Sequence, residues 1–244
     1  MCFSPDVDVA AGVIVGSVGV TALRQVRRPS ELPLASLPIL FGAHQLTEAF
    51  VWWGLMGKIA TSTGHVALWL YMTFAFVLLP TLAPLAVLLV EPNARRRRVI
   101  ARFALLGVVV SLVYLDAMAR GPIGATITTR MLSYRTGVVY GPAVAIAYMT
   151  ATVGALMSSS HRRIARFGAI NLVALPLLVL ISAAALTSLW CSWAAVTSVV
   201  IARYQRWGDE SPAGPPGRSA KPARVAFARI ASWSHWARPG ARPS

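Results

Sequence analysis

The chain has 244 residues, of which 56% are hydrophobic and 13% charged, with a formal net charge of +15 and a mean hydropathy of +0.62. Soluble domains carry about 25% charged residues, so this chain lacks the polar surface to face water on all sides, and a water-soluble globule is excluded. The basic excess does not point to nucleic acid, because the arginines gather at the ends of apolar runs and in the tail rather than on one domain face; anionic lipid head groups are the better match.

A membrane-crossing helix takes about 20 apolar residues, and seven runs approach or exceed that length. The predicted spans cover about residues 7–23, 32–56, 66–90, 99–118, 138–157, 164–186 and 189–204. Residues 1–8 (MCFSPDVD) are acidic and lack the basic start of a signal peptide, so the first run is expected to act as the insertion signal itself. Heavy arginine clusters fall at every second gap: Arg24, Arg27 and Arg28 after the first run, Arg95 to Arg98 and Arg102 after the third, Arg162, Arg163 and Arg166 after the fifth, and a basic tail after the seventh. By the positive-inside rule this alternation predicts an all-α bundle of seven transmembrane helices in a bacterial plasma membrane, N-terminus outside and C-terminus cytoplasmic. The 119–137 loop alternates β-branched and polar residues, which predicts a short hairpin over the outer mouth. Residues 205–244 read as a basic Pro/Gly-rich tail, largely disordered; within it, 224–237 fits either a surface-lying amphipathic helix or a disordered basic end.

Span 2 contains the most unusual stretch, GAHQLTEAFVWWG at residues 42–54. His44 and Glu48 are four apart and share a helix face, Trp52 continues that face one turn on, and Gln45 is three residues from Glu48. A lone carboxylate in a bilayer costs about 3 kcal/mol on insertion scales, so Glu48 must face the bundle interior, be protonated or be paired. Two readings fit: a proton, cation or polar-ligand site, and an interhelical hydrogen-bond network that fixes packing. Tyr71 in span 3 lies at a depth that permits it to line the same cavity; Asp116 in span 4 is one turn from Arg120 and is expected to pair with it, with lining of the cavity as the alternative. Pro38, Pro80, Pro84, Pro142 and Pro176 lie inside spans, as ordinary kinks or as hinges for alternating access. The words FGAHQL (41–46) and FGAINL (167–172) echo each other, as a parallel internal repeat would.

Other chemistries find no support. His65, His161 and His235 do not reach the depth of His44, so a metal site lacks its three or four donors, and haem ligation fails for the same reason. The two lysines, Lys58 and Lys221, fall outside the spans, so no retinal Schiff base can form. No nucleotide, hydrolase or zinc-protease motif occurs, and no cofactor is expected. Cys2 and Cys191 fall on the same outer side, where a disulfide between them is chemically permitted; two free thiols fit equally.

The opening MCFSPDVDVAAGVIVGSVG, the FGAHQLTEAFVWWG stretch and the SLWCSWAAVTSV segment resemble an uncharacterised family of small bacterial multi-pass membrane proteins that begin MCFS and carry a His-Gln…Glu…Trp segment in the second span. The resemblance covers about residues 1–204 and implies an integral membrane protein, with no activity or binding residues to transfer. The leading expectation is a small transporter or permease-like protein with a polar site around Glu48 and His44. A membrane sensor signalling through the basic loops and tail, and an intramembrane enzyme, are the alternatives. Ligand identity and oligomeric state do not follow from the sequence.

Overall fold

The computed structural model of the chain describes residues 4–128, 131–181 and 193. Helix α1 (Pro5–Arg24) starts at the Ser4 N-cap, whose hydroxyl accepts from the Val7 N–H at 3.4 Å, with proline at the first helical position where its missing N–H costs nothing. Asp6 and Asp8 in the first turn and Arg24 in the last complement the helix dipole. A 3₁₀ turn (Pro29–Glu31) follows. There the Glu31 carboxylate accepts from the Arg27 and Arg28 N–H groups and launches α2 (Leu32–Leu55). Gly57, at φ +69°, ends α2 with a left-handed residue that costs glycine little.

Helix α3 (Thr61–Met72) runs through a π-helical segment (Thr73–Leu78) into α4 (Leu79–Val90). The irregularity has a cause in the sequence: Pro80 has no N–H for the carbonyls of the preceding turn. Neighbouring helices bond carbonyls of this segment: the Tyr148 hydroxyl donates to Ala75 O, five residues before Pro80, at 3.1 Å, and Ser111 Oγ donates to Val77 O at 2.6 Å. Helix α5 (Ala94–Arg120) is capped by Asn93, which accepts from the Arg95 and Arg96 N–H groups. An antiparallel hairpin of β1 (Gly124–Thr128) and β2 (Met131–Arg135) comes next, with Gly124 opposite Arg135. It is the one departure from an all-helical fold among the described residues. Helices α6 (Gly141–Met157) and α7 (Arg162–Ile181) complete the described fold.

Pro5–Arg24, Thr61–Val90, Ala94–Arg120 and Arg162–Leu180 are long and apolar enough to cross a membrane. Helix α6 is apolar but has 17 residues. Helix α2 has 24 residues but is not one of the four; its His44, Gln45 and Glu48 dilute its apolar character. The expected count of seven spans therefore reduces here to a helical chain with four such helices, compatible with a membrane protein. The seventh run at 189–204 apart from Trp193, the tail, Cys2 and Cys191 lie outside the described residues. Large apolar side chains on many helices, among them Ile14, Leu70, Leu105, Ile146 and Val173, face outward, as they would toward lipid.

Glycine lets the helices approach at backbone distance. The inward seam of α1 is Pro5, Asp8, Gly12, Val15, Gly19 and Ala22, a 3-4-3-4 spacing that keeps one stripe against α2. A Cβ on Gly19 would stand 2.3 Å from Ile39 N, and one on Gly42 would stand 2.6 Å from Gly16 N. Small residues at such seams are the usual basis of helix association in membranes. Gly107 does the same for α5, where a Cβ would meet Pro80 O at 2.0 Å.

Candidate functional site

The α1–α2 seam, α3 and the hairpin enclose a buried polar cluster. Because α1 and α2 run antiparallel, with Gly19 against Ile39 and Gly12 against Leu46, Asp8 arrives beside the last turns of α2. There it lies within electrostatic reach of Glu48 and faces the Trp52 indole. Asp8, Gln45 and Glu48 are each 0% exposed, and His44, Trp52 and Tyr71 are also buried.

Glu48 is tied to the hairpin: Tyr134 of β2 donates its hydroxyl to Glu48 Oε1 at 3.1 Å. Tyr134 stacks on Tyr71 with ring centroids 4.4 Å apart, Tyr71 stacks on His44 at 4.0 Å, and His44 meets Phe74 of the π segment at 4.6 Å. This column of four rings joins β2, α3, α2 and the π segment. Leu132, fully buried, anchors β2 among Val51, Trp52, Leu68, Tyr71, Met72 and Met118. The hairpin is thus packed down as a roof over the cluster.

Hydrogen bonding inside is incomplete. Both oxygens of Asp8 and both amide atoms of Gln45 are buried with no hydrogen-bond partner among the described residues. The Trp52 N–H is turned toward Asp8 without closing a bond of ordinary geometry. Native proteins pair most buried polar groups, since an orphan costs about 1–3 kcal/mol, so several in one place stand out. The repeat-like word in α7 shows the ordinary outcome. Gly168 approaches α6 as Gly42 approaches α1, with a Cβ there 2.8 Å from Met157 N. Asn171, three residues on, is buried but satisfied: its Nδ2 donates to Phe167 O at 2.7 Å and its Oδ1 accepts from Trp193 Nε1 at 3.1 Å.

Of the residues expected at the site, His44, Gln45, Glu48, Trp52 and Tyr71 come together. Asp116 does not. It lies on an outward face of α5, its side chain 57% exposed, in a 2.8 Å salt bridge with Arg120. Depth along a span places a residue's height, and only the helix rotation decides whether it faces the interior. His65 is in the first turns of α3 rather than in a loop, where its Nε2 accepts from Trp69 Nε1 at 3.1 Å. Among the described residues no group of three His, Cys, Asp or Glu could hold a metal ion.

Sequence reasoning missed Asp8 and Tyr134. In the sequence Asp8 belongs to the acidic start of the chain, although the seam of small residues, followed back from Gly12, reaches it. The sequence indicated the hairpin at Tyr134 but not which strand residue would reach Glu48.

At the opposite end of the bundle lies a third buried acid, which no local pattern in the sequence marks. Glu91, at the end of α4, accepts from Asn93 N at 3.1 Å, Ser159 Oγ at 3.1 Å, Ser160 N at 2.8 Å and Ser160 Oγ. Arg96 donates to Ser159 O at 2.9 Å, and a His161 ring nitrogen bonds Val90 O at 3.0 Å. Together these contacts tie the α4–α5 turn to the α6–α7 turn. Burial pushes the Glu91 carboxyl up, but the bonds from Ser160, Asn93 and Ser159 outweigh it, and the net direction is down from 4.5.

No curated protein and no solved structure matches the chain. The resemblance noted above pointed to an uncharacterised family, and a family model matching residues 1–214 leads to the same kind of family: the chain belongs to DUF6629, a family of unknown function.

Proposed function

We propose that this protein is a small permease-like protein of the bacterial plasma membrane. It spans the membrane seven times with its N-terminus outside, and its solute or ion engages the cluster around Glu48 and His44. The observation that supports this most is the group of buried, incompletely bonded polar atoms on Asp8 and Gln45 next to Glu48. A packing network would satisfy those atoms, and in a bilayer each orphan costs more than it does beside water. The surroundings suit a site that opens. The hairpin roof is seated by Leu132, the Tyr134 hydroxyl bond and the ring column, and one wall contains a π segment next to Pro80. Such segments are frequent at functional sites. The exposed Arg95 to Arg98 cluster sits at the other end of the bundle, which suits a cytoplasmic face against anionic lipid.

Accessibility tests this without knowing the solute. In a chain with Cys2 and Cys191 replaced by serine, Gln45→Cys is exposed to a membrane-impermeant maleimide, applied outside in whole cells and inside in inverted vesicles. A permease predicts labelling from both faces. Labelling from neither face, or from one face alone under every condition, removes the permease reading.

A further inference from the structure

We propose that the carboxyls of Asp8 and Glu48 hold one monovalent cation between them, an alkali ion or a proton, with Gln45 supplying a neutral oxygen. This rests on the polar-site reading above and names the chemistry the site accepts. Three observations converge on it. The glycine seam brings two acids from separate helices within electrostatic reach of each other at full burial. No basic side chain among the described residues pairs with Asp8, whose two oxygens have no hydrogen-bond partner. Independently of the acids, the Gln45 amide, one helical turn from Glu48 and at the level of Gly12, is fully buried with both polar atoms unpaired.

Two carboxylates brought together away from water repel each other and need positive charge between them. The donors on offer are mainly carboxyl and amide oxygens, which suit hard cations rather than transition metals. On the described elements the remaining titratable groups around the pair are His44 on α2, Tyr71 on α3 and Tyr134 on β2, and the charged amino terminus of the chain also acts on Asp8. The three side chains are engaged in the ring column, and Tyr134 also donates to Glu48. A single positive charge between them, one proton shared by the pair or one alkali ion that exchanges with it, takes the pair of acids from a net −2 to −1 and so relieves the repulsion.

The test uses the purified full chain in detergent and reads its melting temperature. In the first arm, sodium chloride is titrated against choline chloride at constant ionic strength in alkaline buffer. In the second, pH is lowered in choline alone. The expected result is a rise of about 5 °C in at least one arm, as ligand binding to the folded state produces. Asp8→Asn and Glu48→Gln abolish that rise and melt at or above the wild-type value in alkaline choline, because one of two repelling charges is gone. A rise with sodium identifies an alkali ion, and a rise with acid alone identifies a proton. The proposal is overturned by no rise in either arm, or by a rise that persists in Asp8→Asn. Should the variants not fold, infrared difference spectra of the wild type decide: carboxyl bands that change with sodium or acid support the site, and bands that stay fixed overturn it. Labelling of Gln45→Cys from both faces without cation-dependent melting would remove this inference and leave the permease reading. The reverse pair of results would leave a static cation site.

Discussion

Asp8 and Glu91 are both buried acids, and their surroundings differ in kind. Glu91 sits where two turns meet and accepts four hydrogen bonds from Asn93, Ser159 and Ser160. Asp8 sits on a helix seam beside a second acid and has no bond partner among the described residues. Burial alone therefore says little about the role of a carboxylate. A satisfied acid holds elements together, and an unsatisfied one is held in place by packing that other residues supply, here the glycines of α1 and α2. The two ends of this bundle separate those roles cleanly enough to test.

The largest effect is expected at the latch. Glu91→Ala leaves the donors of Ser159, Ser160 and Asn93 unpaired and should destabilise the protein by about 3 kcal/mol, measured by thermal melting of the full chain. The same group sets an acid limb. Its folded value is held below 4.5, so its stabilisation is in force above that pH and drains away as pH falls through the lower folded value. Glu91→Gln should flatten this limb, and an unchanged limb in that variant would assign the acid sensitivity elsewhere.

Gly42→Ala comes next, at about 2 kcal/mol, because its Cβ would enter within 2.6 Å of Gly16 N. It also moves α1 away from α2. If the cluster depends on that seam, this variant loses its cation response along with its stability, whereas a response left intact would show that Asp8 does not need the seam.

Tyr134→Phe removes one bond to Glu48 and keeps the ring column, for about 1 kcal/mol. Hydrogen exchange should report looser protection in β2 and unchanged protection in α5. Equal protection in both states of β2 would mean that Leu132 alone seats the roof. Asp116→Asn serves as the control, since its pair with Arg120 is exposed; melting should move by less than about 0.5 kcal/mol.

Parts of this site were open to reading from residue order. His44, Glu48 and Trp52 fall on one face by the 3.6-residue period alone, and the price of a carboxylate in an apolar helix directs that face inward. The hairpin followed from alternation in the 119–137 loop. Asp116 shows both sides: its one-turn spacing gave the salt bridge with Arg120, whereas its depth alone could not tell that it faces away from the cluster. The Glu91 latch shows that limit again, because Ser159 and Ser160 are 68 and 69 residues away in the chain and no local pattern marks them as its partners.

By itself, the sequence determined that the chain is apolar and helical, about where its apolar runs lie, and that α2 carries polar residues it must hide. Those properties come from local energetics: the preference of apolar runs for a nonaqueous solvent, capping, and proline's missing donor. Only the tertiary structure decided that Asp8 joins Glu48 while Asp116 does not, that Tyr134 closes the roof, and that Gln45 is left without the partners Asn171 finds. The reason is physical. Each of those outcomes depends on how far one helix can approach another and how it is rotated, which the glycine contacts between chain-distant backbones settle.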